Sequence, residues 1–235
     1  MYDDFSTLYD ELVFDIDYAS YAKRILPLLK GDRVLELGCG SGNFTKYLLM
    51  EKEVFAMDSS LKMLNMAWKK LGGSDGLVLS HQDLLSFSCP PCDSAVGLLD
   101  VFNYFLEEED LLLVWKNISK HLHEDGIFVF DMNSRKRLLQ DLAEKTWVYE
   151  KDGVFYSWET ERSGDILDFY LNFFVQEESG LYRRVIEEQS QRYYPLDTIQ
   201  ALLKKAGFLL LKTQDLEGGP LTEQTNRVLF YCKKE

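Results

Sequence analysis

Three glycines, Gly38, Gly40 and Gly42, stand at every second position in the stretch VLELGCGSGNF, after an apolar run and before a helix-like segment. Glycine adopts left-handed backbone conformations freely and lets a ligand come close to the main chain, so this stretch reads as a ligand-binding loop. Two phosphate-binding chemistries do not fit it. A dinucleotide loop, G-x-G-x-x-G, wants its third glycine one residue later, where Asn43 stands. A P-loop would end in Gly-Lys followed by Ser or Thr, and this loop does not. Acidic residues recur beyond it. Asp58, Asp83, Asp100 and Asp131 each sit at or just after the end of an apolar run. Open α/β sheets bind ligands at those ends, and a carboxylate there can orient or deprotonate an amine or a hydroxyl. Asp100 and Asp131 are the candidates for that role, with Asn103 and Tyr104 following the fourth run.

Other reactive side chains carry less. His81, His121 and His123 occupy strand-end and helix-end contexts and receive no catalytic role. Cys89-Pro90-Pro91-Cys92 has CxxC spacing, but no second pair completes a zinc site, and it lies in a proline loop where a redox pair would open a helix. No metal site is expected.

The elements that must position these residues follow from periodicity. Short apolar runs alternate with helix-period segments, which argues for repeated βα units and a parallel sheet. Buried strands are expected at Arg33–Leu37, Glu53–Met57, Leu77–Ser80, Ala95–Leu99 and Ile127–Phe130, with helices at 18–29, 43–52, 60–71 and 108–122. A helix over Leu196–Ala206 leads into strands at Phe208–Lys212 and Arg227–Cys232. Only a short segment broken by Gly218-Gly219-Pro220 joins those two, too little for a parallel crossover, so the final strand should be antiparallel.

The pattern changes over 147–194. Asp152-Gly153, Ser163-Gly164-Asp165 and Ser179-Gly180 are hairpin signals, and 12 of these 48 residues are aromatic. An inserted antiparallel sheet is expected here, serving as a cover for the site or as a homodimer surface. Residues 1–146 and 195–235 would then form the main domain.

The stretch ELGCGSG resembles motif I of class I S-adenosylmethionine (SAM) dependent methyltransferases, in a bacterial branch of small members. MDSSLKML around Asp58, HQDLLSF around Asp83, GLLDVFNYF around Asp100 and LHEDGIFVFD follow in the family's order. The resemblance spans about residues 30–131, with the tail consistent. It implies a doubly wound, Rossmann-like, mostly parallel sheet of about seven strands with an antiparallel last strand. It also implies SAM as cofactor, S-adenosylhomocysteine (SAH) as product, and methyl transfer by in-line displacement without metal. By resemblance, Glu36 holds the loop and the methionyl amino group. Asp58 takes both ribose hydroxyls, with Ser59 beside it in the cofactor set, Asp83 takes the adenine amine, and Met63 and Leu84 enclose the ring. Cys39, Leu99 and Asp100 complete the cofactor set with the three glycines. Tyr9, Tyr18 and Tyr21 are candidates on the methionine and acceptor side.

The formal net charge of -13 disfavours a nucleic-acid acceptor, whose phosphates call for clustered Lys and Arg. No apolar run approaches the roughly 20 residues that span a bilayer, and the N-terminal stretch has neither a basic nor an apolar leader region. A soluble, cytoplasmic enzyme acting on a nitrogen or oxygen of a small molecule is the expectation. Methylation of a protein or RNA group, or SAM binding that serves a partner interface, is the alternative.

Overall fold

The computed structural model describes residues 16–151, 153–177 and 179–235. Its main sheet has seven strands: β1 (Arg33–Leu37), β2 (Glu53–Asp58), β3 (Leu77–His81), β4 (Cys92–Gly97), β5 (Leu122–Asn133), β10 (Phe208–Asp215) and β11 (Arg227–Lys234). Their order is β10-β11-β5-β4-β1-β2-β3. Strands β1 to β5 pair in parallel, while β11 runs antiparallel to both β5 and β10, as the short connection required.

Strand β1 lies between β2 and β4, so the chain leaves it toward one side and returns on the other. This is the switch point at which open α/β sheets leave a crevice beyond the strand ends. Four of the five β1 residues are buried, the burial of a strand covered on both faces.

Among the described residues five α-helices cover the sheet: α1 (Tyr18–Ile25), α2 (Thr45–Leu48), α3 (Leu61–Leu71), α4 (Glu108–His121) and α5 (Leu196–Lys205). The side chain of Asp17 caps α1 through Ser20 N, and Ser60 Oγ caps α3 through Met63 N. Helix α4 starts with Glu108, Glu109 and Asp110, charges that suit the positive end of the helix dipole. It buries Leu111, Val114, Trp115 and Ile118. One core layer gathers Trp115 with Phe102, Phe128, Phe130, Phe208 and Phe230; the other contains Ile25, Val34, Leu48, Val96 and Val129.

The expected helix over 43–52 is regular only in Thr45–Leu48. Around it three-residue bonds (Tyr47 N to Phe44 O, Met50 N to Tyr47 O) mix with four-residue bonds (Leu49 N to Thr45 O, Lys52 N to Leu48 O), which winds the segment too irregularly for a longer α-helix. Strand β4 also stops earlier than its apolar run, because Leu99 and Asp100 turn into left-handed conformations.

Residues 146–192 form a separate antiparallel sheet of β6 (Thr146–Lys151), β7 (Val154–Ser163), β8 (Ile166–Gln176) and β9 (Tyr182–Arg192), in that order. One face buries Leu167, Phe169, Leu171 and Phe173 against Leu138, Leu139 and Leu142. Much of the aromatic enrichment therefore forms a small core. Strand β9 is an edge, and its polar residues join this sheet to the main body.

Candidate active site

A cleft of about 810 Å³ opens beyond the C-terminal ends of β1, β2 and β4. Tyr18, Glu36, Gly38, Cys39, Gly40, Asp58, Ser59, Met63, Asp83, Leu84, Leu99 and Tyr104 all line it. Tyr9 lies outside the described residues. Gly42, Asp100, Asn103 and Asp131 do not line the cleft, and Tyr21 donates its hydroxyl to Glu217 Oε1 at 3.0 Å instead.

The glycine loop is held from below by Asp58. Its Oδ2 accepts from Gly40 N at 2.8 Å, and its Oδ1 accepts from Ser60 N at 2.8 Å. Burial raises the Asp58 carboxyl above its usual range, while these two backbone donors favour the charged form. Each oxygen keeps a lone pair free for a further donor. Above the loop, a Cβ placed on Gly40 would meet nothing within 4 Å. Among the described residues nothing occupies the space directly over its backbone.

Glu36 points into the same cleft from β1 and is only 4% exposed. Its Oε2 has no hydrogen-bond partner among the described residues. Burial pushes its carboxyl up to about 8, opposed by the neighbouring Thr45 hydroxyl and reinforced by the charge of Asp58. A buried carboxylate oxygen with nothing to accept is costly, and a cationic donor removes that cost.

Asp100 and Asp131 lie beneath the cleft wall, and one cation accounts for both. Arg227 Nη1 reaches Asp100 Oδ1 at 2.7 Å and Asp131 Oδ2 at 3.0 Å. Asp131 Oδ1 accepts from Leu99 N at 2.5 Å, which fixes the left-handed turn at Leu99 and Asp100. Gln191 Nε2 donates to Asp100 Oδ2 at 2.6 Å, and Asn133 Nδ2 donates to Gln191 Oε1 at 2.9 Å. Asn103 is fully buried; it donates to Arg192 O at 2.8 Å and accepts from Asn133 N at 2.9 Å. Asp100, Asn103 and Asn133 thus bind β9 to the main sheet, and Asp131 with Arg227 holds Asp100 in place.

Some lining residues escaped the sequence reading. Ser41 lies within the glycine loop and Asn43 follows it, Glu107 and Asp110 open α4, and Glu187 and Gln189 come from β9. Strand alternation could have exposed the last two: Glu187, Gln189 and Gln191 pair with Leu171, Phe169 and Leu167, the apolar face of β8. Gln189 Oε1 accepts from the Tyr104 hydroxyl at 2.9 Å, which brings β9 to the rim.

A parallel sheet with an antiparallel final strand, a glycine loop lacking phosphate spacing and an acid closing the second strand together define a class I methyltransferase. The residues present fit SAM on their own terms. The orphaned oxygen of Glu36 suits an ammonium group, and the space over Gly40 admits a ligand against the backbone. Comparison with known proteins agrees. Residues 34–126 match the family model described as a methyltransferase domain. A crystal structure of an S-adenosylmethionine-dependent methyltransferase from Clostridium acetobutylicum ATCC 824 superposes with a TM-score of 0.88 at 33% identity, covering 99% of this chain and 98% of that one. The putative methyltransferase YqeM of Bacillus subtilis (strain 168) is 28% identical over 242 residues, 100% of this chain and 97% of that protein. SAM-bound CalS10, an amino pentose methyltransferase from Micromonospora echinaspora, shares the fold with a TM-score of 0.72 at 18% identity, over 93% of this chain and 90% of that one. The chain belongs to the S-adenosylmethionine-dependent methyltransferase family. It is an enzyme, and SAM is its cofactor.

Proposed function

We propose that this methyltransferase acts on a nitrogen or oxygen atom of a small molecule, with the 147–194 sheet walling the acceptor side of the cleft. When bound, the cofactor supplies an electrophilic methyl group on a sulfonium. The chain contributes binding, alignment and the exclusion of water, which can account for most of the acceleration of an in-line displacement. In this reading Glu36 holds the amino end of the cofactor. Asp58, with Ser59, accepts the ribose hydroxyls while it keeps the loop folded. Asp83 accepts the adenine amine through the oxygen left over when Oδ1 takes Leu85 N at 2.8 Å. Met63 and Leu84 flank the ring, and Tyr18, Leu99 and Tyr104 stand on the methionine and acceptor side. Asp100, Asn103 and Asp131 serve as supports of the wall.

The observation that carries the reading is the buried, unpartnered Glu36 oxygen beside open glycine backbone at the switch point. Thermal unfolding with SAM, SAH and NAD in separate wells tests the cofactor site. A ligand at a hundred times its dissociation constant stabilises by about 2.7 kcal/mol. At this size that is a rise of about 5–10 °C. Rises with SAM and SAH but not with NAD support the assignment; a rise with NAD alone overturns it. The net charge of -13 argues against an RNA acceptor, and RNA retained at low salt would reverse that point.

A further inference from the structure

The walls of the cleft are one-signed. Glu36, Asp58, Asp83, Glu107, Asp110 and Glu187 line it, and no lysine, arginine or histidine among the described residues does. The first three belong to the cofactor in the reading above. The buried, unpartnered Oε2 of Glu36 marks the cleft as a ligand site independently of the other acids. Three carboxylates then remain for the acceptor, brought by the start of α4 and by β9.

Glu187 stands out among the three. It is half-buried on the face of β9 that pairs with Leu171, beside the contact between Tyr104 and Gln189. Among the described residues no hydrogen bond or ion pair engages its carboxylate. The arginines of its own strand have other partners. Arg183 pairs with Glu177, Arg184 binds Asn172 Oδ1, and Arg192 binds Leu106 O and Glu108.

Resting on the methyltransferase reading above, we infer that the acceptor is an amine that arrives as an ammonium ion, and that Glu187 binds it and takes its proton. An anionic acceptor would be repelled by every charged wall of the cleft. A neutral alcohol would leave the Glu187 charge uncompensated in a half-dry site. An alkylammonium, titrating at about 10, answers both needs and can lose a proton to a nearby carboxylate. Burial pushes the Glu187 carboxyl up to about 7, which makes it a better base than an exposed glutamate.

The step balances. A proton passes from the ammonium to Glu187, leaving a neutral amine with its lone pair. That pair forms the new N–C bond as the C–S bond breaks, and the electrons of the broken bond stay on sulfur as a neutral thioether. The product is a methylated ammonium ion, and Glu187 returns its proton to solvent.

The test uses the full chain saturated with SAH, in thermal unfolding with benzylamine and cyclohexylamine against benzyl alcohol and cyclohexanol at matched concentration and ionic strength. The amines should raise the midpoint and the alcohols should not. In Glu187→Gln the apparent amine affinity should fall at least tenfold while the shift with SAH persists. Glu188→Gln removes the same charge from the opposite face of β9 and should keep the amine shift. Alcohols matching amines, an amine shift that survives Glu187→Gln, or no shift with either amine overturns the inference while leaving the cofactor reading intact. No shift with SAH in the unaltered protein would remove the cofactor reading, and this inference with it.

Discussion

A Cβ on Gly40 would meet nothing within 4 Å, whereas one on Gly42 would stand 2.8 Å from Leu71 Cδ1 and 3.2 Å from Ala67 Cβ. Two residues apart in one loop, the glycines serve different ends. Gly42 lets the loop pack on α3, and Gly40 leaves space for the ligand. Both have positive φ, +54° at Gly40 and +81° at Gly42, so any side chain at either costs about 1–3 kcal/mol of backbone strain. The difference must show in binding. Gly42→Ala adds crowding against α3 and should lower the unfolding midpoint further, yet the folded fraction should titrate with SAM nearly as the parent does. Gly40→Val should fold and lose most SAM affinity. Calorimetry on both variants separates them, and equal affinity in Gly40→Val would mean that the ligand does not pass over this backbone.

Between elements, the support of the cleft depends on residues far apart in sequence. Arg227, at the start of β11, pairs with both Asp100 after β4 and Asp131 in β5, while Gln191 of β9 completes the group. Removing one partner of a buried charge group costs about 3–5 kcal/mol, because the remaining charges stay buried unpaired. Arg227→Met should therefore lower the midpoint strongly, and it should loosen β9 from the main sheet. Hydrogen exchange would show the second effect as lost protection in β9 ahead of β1. Protection lost uniformly would deny the group that joining role. This network also marks the limit of what the sequence makes legible. Strands β1 to β3 and the antiparallel end could be read because apolar runs and connection lengths are local quantities. Asp100 and Asp131 were visible as acids at strand ends, but their common counter-ion lies beyond any local pattern. Glu187 was hidden for a related reason. Its place in the cleft depends on which face of an inserted strand turns inward, and only the docking of that sheet decides this.

At the scale of the whole molecule, charge and burial act together on stability. The net charge is -13, and four carboxyls are raised by burial: Glu36 to about 8, Glu187 to about 7, and Asp58 and Asp131 in direction. A carboxyl whose folded pKa exceeds its unfolded one keeps its proton longer in the native state. Between the two values the native state holds more protons than the unfolded chain, so stability falls as pH rises through that window. For Glu36 the window runs from 4.5 to about 8. Growing net negative charge pushes the same way. The ligand-free protein should therefore be more stable at pH 6 than at pH 8.5. Glu36→Gln should flatten that slope and stabilise the ligand-free chain at the alkaline end, at the cost of about tenfold or more in SAM affinity, the loss of one charge-assisted hydrogen bond. Saturating SAM should flatten the slope in the unaltered protein, because an ammonium opposite Glu36 favours its charged form. Denaturant titrations at several pH values, with and without SAM, provide the measurement. A slope unchanged by both the substitution and the ligand would show that the buried oxygen of Glu36 is satisfied in some other way, and the assignment of the amino end of the cofactor to it would fail.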